Sequence, residues 1–175
     1  PEYQPRSRIS HLLKDHFEEI FGFLLLREYR YEKAFMFIGT SNGRNGKSKL
    51  MELIRHFIGK NNYCSLSLQN LDEKDFSLSE LFNKLANIGG DLPDARIEET
   101  GTFKKLTGRD SINAKRKFLP DVSFINFAKL IFSTNKVPTV YDSSEAFFNR
   151  WILLDFPFRF LDKDEYEIEK KTNPN

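Results

Sequence analysis

Three consecutive residues, Gly46, Lys47 and Ser48, combine the groups that bind a triphosphate and its metal ion. A lysine ammonium neutralises phosphate oxygens, a serine hydroxyl ligates Mg²⁺, and glycine lets the backbone approach an anion closely. If a helix begins here, the N–H groups at its N-terminus also face the phosphates. The sequence therefore predicts a site for a nucleoside triphosphate and Mg²⁺, formed by Asn42, Gly43, Arg44, Asn45, Gly46, Lys47 and Ser48.

The segments on either side of this loop fit a strand before it and a helix after it. Residues 34–38 are an apolar run that predicts a buried strand, and residues 49–54 continue as a helix. The phosphate-loop pattern G-x-x-x-x-G-K-[ST] has one departure, because Ser41 stands where the first glycine is required. Gly39 and Gly43 lie nearby, and we expect them to supply the missing conformational freedom.

An aspartate at the end of a second apolar strand is the candidate for holding Mg²⁺ or polarising the attacking water. Asp91 directly follows residues 85–90, where we expect a strand to emerge beside the phosphate loop. Asp94 is the second choice for this role. The alternative interpretation is a solvated aspartate in the turn before Pro93.

Two further polar residues flank predicted strands. Asn135 follows the apolar strand 129–134, where its amide could contact a γ-phosphate or orient a water, or else cap a turn. Arg150 stands just before the apolar strand 151–156. It is either an ordinary ion-pair partner or a finger that reaches a phosphate across a subunit boundary.

A basic segment precedes strand 129–134. Residues 104–117 contain six Lys and Arg side chains, and two strands around Pro120 and Asp121 predict a hairpin. A basic hairpin can follow a nucleic-acid backbone, with Phe118 available for base stacking, or it can be a solvated basic face. The candidate DNA-binding residues are Lys105, Lys115, Arg116 and Lys117.

The composition fits one domain with a substantial core. The chain has 175 residues, of which 30% are charged, and its net charge is only +2. The single cysteine, Cys64, excludes an internal disulfide and a cysteine-cluster metal site, and we expect it to be a small buried residue. The sequence shows neither a membrane-spanning run nor a signal peptide, so we expect no membrane partner and a cytoplasmic location.

Buried strands alternate with amphipathic helices along the chain. We expect helices near 8–26, 78–84 and 98–106, and strands near 63–68, 85–88, 129–134 and 151–156. This alternation predicts an α/β fold with a mostly parallel sheet, flanked by helices, into which the β-hairpin is inserted.

Five motifs in order resemble the superfamily 3 helicase domain of phage, plasmid and large-DNA-virus primase–helicases. The similarity extends from about Ile20 to Phe160. The motifs are the loop Arg44–Ser48, the acidic segment Phe76–Pro93, the segment Phe103–Asp110 leading into a DNA-contacting hairpin, the sensor-like segment Leu130–Pro138, and the arginine-bearing segment Phe148–Pro157.

The resemblance implies a P-loop NTPase core of the AAA+ type that moves on single-stranded DNA as a homo-oligomeric ring, usually a hexamer. ATP would lie between subunits, with Lys47, Ser48, Asp91 and Asn135 from one subunit and Arg150 from its neighbour. We accordingly expect a helical segment at 1–30, the ATPase and helicase core at 31–160, and a charged tail at 161–175 that is flexible or truncated. Gly90 stands where many relatives carry a second acid.

The function expected from these features is an ATP-hydrolysing DNA helicase motor of a replication protein. One alternative is a P-loop ATPase that loads or remodels a protein without unwinding DNA. Another is a small-molecule kinase, which predicts a monomer with a substrate pocket. Stimulation of hydrolysis by DNA distinguishes the helicase from both alternatives.

Overall fold

Strands and helices alternate along the chain, as the apolar pattern predicts. The computed structural model describes residues 6–40, 43–71, 76–91, 97, 100–142 and 144–172. The described elements are α1 (Arg6–Leu24), β1 (Ala34–Gly39), α2 (Lys47–Ile58), β2 (Tyr63–Cys64), β3 (Ala86–Asp91), α3 (Gly101–Gly108), β4 (Ser111–Arg116), β5 (Leu119–Ile125), β6 (Lys129–Thr134), α4 (Glu145–Phe148), β7 (Trp151–Phe156) and α5 (Lys163–Thr172). Two 3₁₀ helices, Leu68–Asn70 and Phe76–Leu81, lie between β2 and β3.

Five strands form a parallel sheet in the order β2-β3-β6-β1-β7. The predicted α/β class, with a mostly parallel sheet, flanking helices and a separate hairpin, is confirmed. β6 lies between β1 and β3, the strand that ends at Asp91, so one strand separates the Asp91 strand from the phosphate-binding strand. All six residues of β6 are buried, which suits a strand with neighbours on both sides.

Both faces of the sheet are covered by apolar side chains, because residues of β1 alternate between them. Phe35 and Phe37 pack with residues of α1 and α2 on one face. Met36 packs with residues of α3 and β4 on the other face. The carboxyl ends of the strands all point to one edge of this layered structure, which leaves that edge open for a site.

The hairpin turns earlier than predicted. β4 and β5 are antiparallel, and the turn is formed by Lys117 and Phe118, while Pro120 and Asp121 belong to β5. Ala114 pairs with Val122 and Arg116 with Leu119, so β5 carries one extra residue. Such a bulge accommodates Pro120, which has no N–H to donate to the partner strand.

Three other predicted segments differ in form. The strand expected at 63–68 is shortened to Tyr63–Cys64, and the helix expected at 78–84 is the 3₁₀ helix Phe76–Leu81. The tail, expected to be flexible or truncated, contains α5. Glu165 N–H donates to the Asp162 carboxylate at 2.9 Å, and Asp162 N–H donates to the Glu165 carboxylate at 3.3 Å. These reciprocal bonds form a capping box that fixes the start of the helix.

Candidate functional site

The loop between β1 and α2 has a backbone that can surround an anion. Gly43, Arg44 and Gly46 have φ angles of 64°, 51° and 88°, and α2 begins at Lys47. Left-handed residues next to a helix N-terminus turn successive N–H groups toward a common concave space. Ser41 and Asn42 lie outside the described residues, so the contact predicted for Asn42 stays a prediction.

Two buried donors meet above Gly39. Asn45 and Lys47 are 7% and 4% exposed. A methyl group on Gly39 would overlap the Asn45 Nδ2 atom and lie 2.7 Å from the Lys47 Nζ atom. Gly39 therefore supplies space for these two donors, whereas the sequence suggested that it supplies conformational freedom.

The side-chain amide of Asn45 has a donor group that is available to a ligand. Its Nδ2 atom is buried and has no hydrogen-bond partner among the residues that the structure describes. Leaving a buried amide donor unsatisfied costs about 1–3 kcal/mol. A bound phosphate would supply the acceptor, since the ammonium of Lys47 lies beside the same point. The residues present thus fit a phosphate group.

The end of β6 holds Lys47 in place. Its Nζ atom donates to the Thr134 carbonyl at 2.6 Å and to the Asn135 Oδ1 atom at 2.5 Å. The structure thus brings together two of the predicted site residues. The turn after β6 is closed by Thr134 instead, whose hydroxyl donates to the Lys136 carbonyl at 2.6 Å. The side chain of Asn135 therefore contacts Lys47 in the candidate site. The turn-capping role that the sequence suggested as an alternative for Asn135 belongs to Thr134.

The candidate metal ligands occupy the same edge of the sheet. The backbone of Asp91 and that of Phe37 both lie in register with Ser133. The side chain of Asp91 and all of Asp94 are outside the described residues, while Ser48 is exposed in the first turn of α2. Among the residues that the structure describes, no three His, Cys, Asp or Glu side chains cluster as a metal site. Metal binding by Ser48 and Asp91 stays a prediction.

The segment after β7 contacts the phosphate loop, which sequence reasoning missed. Phe160 N–H donates to the Arg44 carbonyl at 2.8 Å. The guanidinium of Arg44 forms an ion pair with Glu165 of α5 and lies 3.9 Å from Asp162. The spacing of Asp162 and Glu165, which fits a capping box, was the available signal for this helix. The tail therefore supports the left-handed backbone of Arg44.

Arg150 lies far from Lys47 within one chain. It precedes β7 at the edge where the strands begin, and the six residues of β1 span about 17 Å between the two edges. Its guanidinium is 3.5 Å from Glu32 and donates to the Ala146 carbonyl. The ion-pair interpretation thus has a partner in this chain, and the finger interpretation stays a prediction.

The hairpin tip is exposed and carries the predicted cations. Lys115 and Lys117 are exposed, Arg116 is half-buried with its Nε atom 2.9 Å from the Pro120 carbonyl, and Phe118 is 92% exposed. The Lys117 ammonium lies 5.2 Å from the Phe118 ring centre. An exposed ring flanked by cations suits single-stranded nucleic acid.

The base of the hairpin is rigidly packed. Ile112 and Ala114 are fully buried, and the Phe124 ring packs against Phe82 with 5.4 Å between ring centres. The buried Asn126 amide donates to the Leu106 and Ala128 carbonyls, both at 3.1 Å. The tip is thus an exposed turn on a fixed support.

Lys104 and Arg109, near the hairpin, pair with carboxylates. Lys104 lies 2.9 Å from Asp142, and Arg109 lies 3.9 Å from Glu32. Hydrogen bonds from Ser144, Thr100 and Lys104 hold the pKa of Asp142 well below its usual range. Lys105 is exposed on α3, so it stays a candidate for DNA contact together with the three residues of the tip.

Two buried titratable residues support the scaffold. Burial lowers the pKa of Lys129 to about 8; its ammonium donates to the Leu26 carbonyl and lies 4.8 Å from the Phe23 ring centre. Burial raises the pKa of the Cys64 thiol to about 12, and Cys64 is buried as predicted. Sequence reasoning missed Lys129, because a lysine at a strand start gives no signal of burial.

Comparison with known proteins places this geometry in a family. Residues 38–150 match the family described as "Family of unknown function (DUF5906)". The chain is 31% identical over 141 residues to the Acanthamoeba polyphaga mimivirus protein named "Putative helicase L207/L206". This similarity covers 77% of the chain but only 14% of the mimivirus protein.

Solved structures share the fold. The apo structure of the NrS-1 C-terminal region (305–718) superposes with a TM-score of 0.58 at 18% identity, covering 85% of this chain and 36% of that one. JCV Helicase bound to a thiazolopyridine acetamide gives a TM-score of 0.55 at 15% identity, covering 90% of this chain and 46% of that one. Among the described residues, no helix is long and apolar enough to span a membrane.

The sequence motifs, the parallel sheet with its inserted hairpin, and these relatives agree on one assignment. The chain belongs to the DUF5906 family, is similar in sequence to a viral protein named as a helicase, and shares its fold with a solved helicase structure.

Proposed function

We propose that this domain is the ATP-driven motor of a DNA replication protein, which hydrolyses ATP at subunit interfaces and moves along single-stranded DNA. The convergence of Asn45 and Lys47 above Gly39 carries the proposal, since it provides a buried amide donor without an acceptor next to a buried ammonium. The similarity to a viral helicase-type protein supports the choice of motor over other nucleotide-binding functions.

The residues of one subunit would hold Mg·ATP. Lys47 would neutralise the β- and γ-phosphates, and Ser48 and Asp91 would ligate Mg²⁺. Asn135, which accepts a hydrogen bond from Lys47, would contact the γ-phosphate or the attacking water. The loop backbone from Asn42 to Gly46 would surround the phosphates. When bound, Mg²⁺ would add to the neutralisation of the phosphate charge, and ATP would provide the bond that is cleaved. The residues of the chain would hold both in position.

A neighbouring subunit would complete the site with Arg150. The separation of Arg150 and Lys47 at opposite edges of the sheet supports an interface site, because one chain cannot bring both to one phosphate. Arg150 shares Glu32 with Arg109, which lies two residues before the hairpin strand β4. Release of Arg150 from Glu32 would therefore alter the ion pair between Glu32 and Arg109 at the hairpin base. A closed ring, usually hexameric in such proteins, is the proposed assembly of the full-length protein.

Single-stranded DNA would contact the hairpin. Lys115, Arg116 and Lys117 would neutralise phosphates of the strand, with Lys105 alongside, and Phe118 would stack on a base. The exposed tip on its packed base supports this role.

Replacement of Lys47 tests the shared premise. In Lys47→Ala, we expect ATP binding and hydrolysis to collapse, because the site loses the cation that the phosphates require. The measurement is ATP titration by calorimetry together with phosphate release, with and without single-stranded DNA. Lys49→Ala is the matched control, since Lys49 is an exposed lysine two residues further along α2.

The outcomes separate the proposals. Unchanged ATP affinity and turnover in Lys47→Ala would falsify the nucleotide site itself. ATP hydrolysis by the wild-type chain that single-stranded DNA never stimulates would contradict the helicase proposal and favour a loader or remodeller of proteins. A monomer that transfers phosphate to a small molecule would favour a kinase.

A further inference from the structure

The three most exposed phenylalanines that the structure describes lie at two places. Seven of the 18 phenylalanines are exposed. Phe118 is at the hairpin tip, whereas Phe158 and Phe160, at 67% and 66% exposed, follow β7 at the edge of the sheet that carries the phosphate loop. The hairpin has an assigned role, but the proposed function leaves the second pair without one.

Phe160 is attached to the phosphate loop. Its N–H donates to the Arg44 carbonyl at 2.8 Å, two residues before Gly46. Its ring reaches within 3.1 Å of the position that a Cβ of Gly46 would occupy. Gly46 has a φ of 88° and directly precedes Lys47, so the ring is fixed against the loop where α2 begins.

Ion pairs also fix the segment that carries Phe160. Arg44 forms an ion pair with Glu165, and Glu165 also lies 3.5 Å from Arg159, the neighbour of Phe160. The capping box at Asp162 and Glu165 fixes the helix that carries this carboxylate. The segment therefore presents an exposed aromatic face beside a buried phosphate-binding space, and the face does not depend on a flexible tail.

We infer that Phe160 is the base-stacking residue of the nucleotide site, so that the site takes a nucleoside triphosphate rather than any polyphosphate. This inference rests on the proposed function. A nucleobase has an apolar π-face, which an exposed phenyl ring covers favourably, and stacking on an aromatic side chain contributes measurably per base. A phosphate chain alone gains nothing from such a ring. The exposure of Phe160 is thus explained by a ligand that covers it when bound.

The test compares two ligands that share the triphosphate and differ in the base. ATP and inorganic tripolyphosphate, each with Mg²⁺, are titrated calorimetrically into the wild-type chain and into Phe160→Ala. We expect the variant to bind ATP about tenfold more weakly or worse, while its affinity for tripolyphosphate changes less than about twofold. Phe160→Trp should retain ATP affinity, and its added indole fluorescence should be quenched by ATP and not by tripolyphosphate.

Phe148→Ala is the matched control, because Phe148 is also exposed but lies on α4, two residues before Arg150 at the opposite edge. Equal loss of ATP and tripolyphosphate binding in Phe160→Ala would overturn the inference and assign the ring to loop shape. Equal affinity of the wild-type chain for both ligands would overturn it while leaving the phosphate site intact. If the wild-type chain binds neither ligand, the proposed function fails first.

Discussion

The phosphate loop and the hairpin tip both present cations to an anionic ligand, but they do so in opposite ways. In the loop, Lys47 is buried and donates to fixed oxygens of Thr134 and Asn135. At the tip, Lys115 and Lys117 are exposed, and the hairpin fixes only their backbone. The phosphate loop has donors in fixed positions, whereas the hairpin tip has several positive charges close together.

This difference predicts different physical behaviour. Coulomb interactions of buried groups are screened little by salt, while exposed charges separated by more than a Debye length are largely screened. Binding at the loop should therefore depend on geometry at the scale of one methyl group. Binding at the tip should depend on the number of charges and on ionic strength, and tolerate changes of shape.

The largest effect is expected where geometry dominates. Gly39→Ala would place a methyl group where the Asn45 amide and the Lys47 ammonium converge. Both groups must move, so we expect ATP to bind about a hundredfold more weakly, since a hydrogen bond to a charged group is worth about 1.5–3 kcal/mol. Calorimetric titration with ATP measures the loss.

Stability provides the control for this change. The displaced groups are ends of side chains, so the free energy of unfolding in urea should fall by less than about 1 kcal/mol. Gly22→Ala is the matched variant, because a methyl group there meets no atom within 4 Å. If Gly39→Ala keeps wild-type ATP affinity, the loop does not depend on this close approach.

A smaller and salt-dependent effect is expected at the hairpin. In the triple variant Lys115→Ala, Arg116→Ala and Lys117→Ala, affinity for single-stranded DNA should fall, and the slope of log K against log salt should decrease by about 2. ATP affinity should stay within about twofold, because the hairpin lies outside the phosphate loop. Fluorescence anisotropy with a labelled oligonucleotide at several salt concentrations measures the slope.

The matched control removes equal charge elsewhere. Lys14, Lys60 and Lys171 are exposed lysines off the hairpin, and their replacement by alanine should leave the salt slope nearly unchanged. The same decrease in slope in both triple variants would show that net charge, not the hairpin, attracts DNA.

The smallest effect concerns a buried cation with no ligand role. The pKa of Lys129 in the folded chain, about 8, is below its ordinary value of 10.5. Between these values the unfolded chain binds more protons, so the free energy of unfolding should rise with pH across the window from 8 to 10.5. We expect a rise of about 1–2 kcal/mol, less than the full shift because the ammonium is incompletely desolvated.

Urea unfolding at pH 7.5 and 10 measures this rise, with Lys129→Met and Lys117→Met as the two comparison variants. The rise should disappear in Lys129→Met and persist in Lys117→Met, since Lys117 is exposed at the hairpin tip. A rise that persists in Lys129→Met would assign the pH dependence to other groups.

Local patterns predicted most of the fold. The apolar runs of β1, β6 and β7 were recognisable because strands buried on both faces contain few polar residues. The hairpin turn was misplaced, because Pro120 and Asp121 are typical turn residues and only strand pairing shows that they form a bulge. The α5 helix was missed because its charged composition outweighed the capping signal of Asp162 and Glu165.

The sequence by itself determined the kind of chemistry at the phosphate loop. Gly46, Lys47 and Ser48 are adjacent in the chain, so their joint presence near one anion needs no knowledge of the fold. In the same way, the cations of the hairpin are sequence neighbours. Charge and motif are local properties, and the amino-acid order specifies them directly.

Only the tertiary structure decided which distant residues complete these sites. Strand order places β6 beside β1, which brings Asn135 to Lys47, and it leaves Arg150 at the opposite edge. The tertiary structure also places the segment after β7 so that Phe160 and Glu165 contact the phosphate loop. Such contacts depend on how the strands pair and how the chain returns across the sheet, and these choices minimise exposed apolar surface over the whole domain.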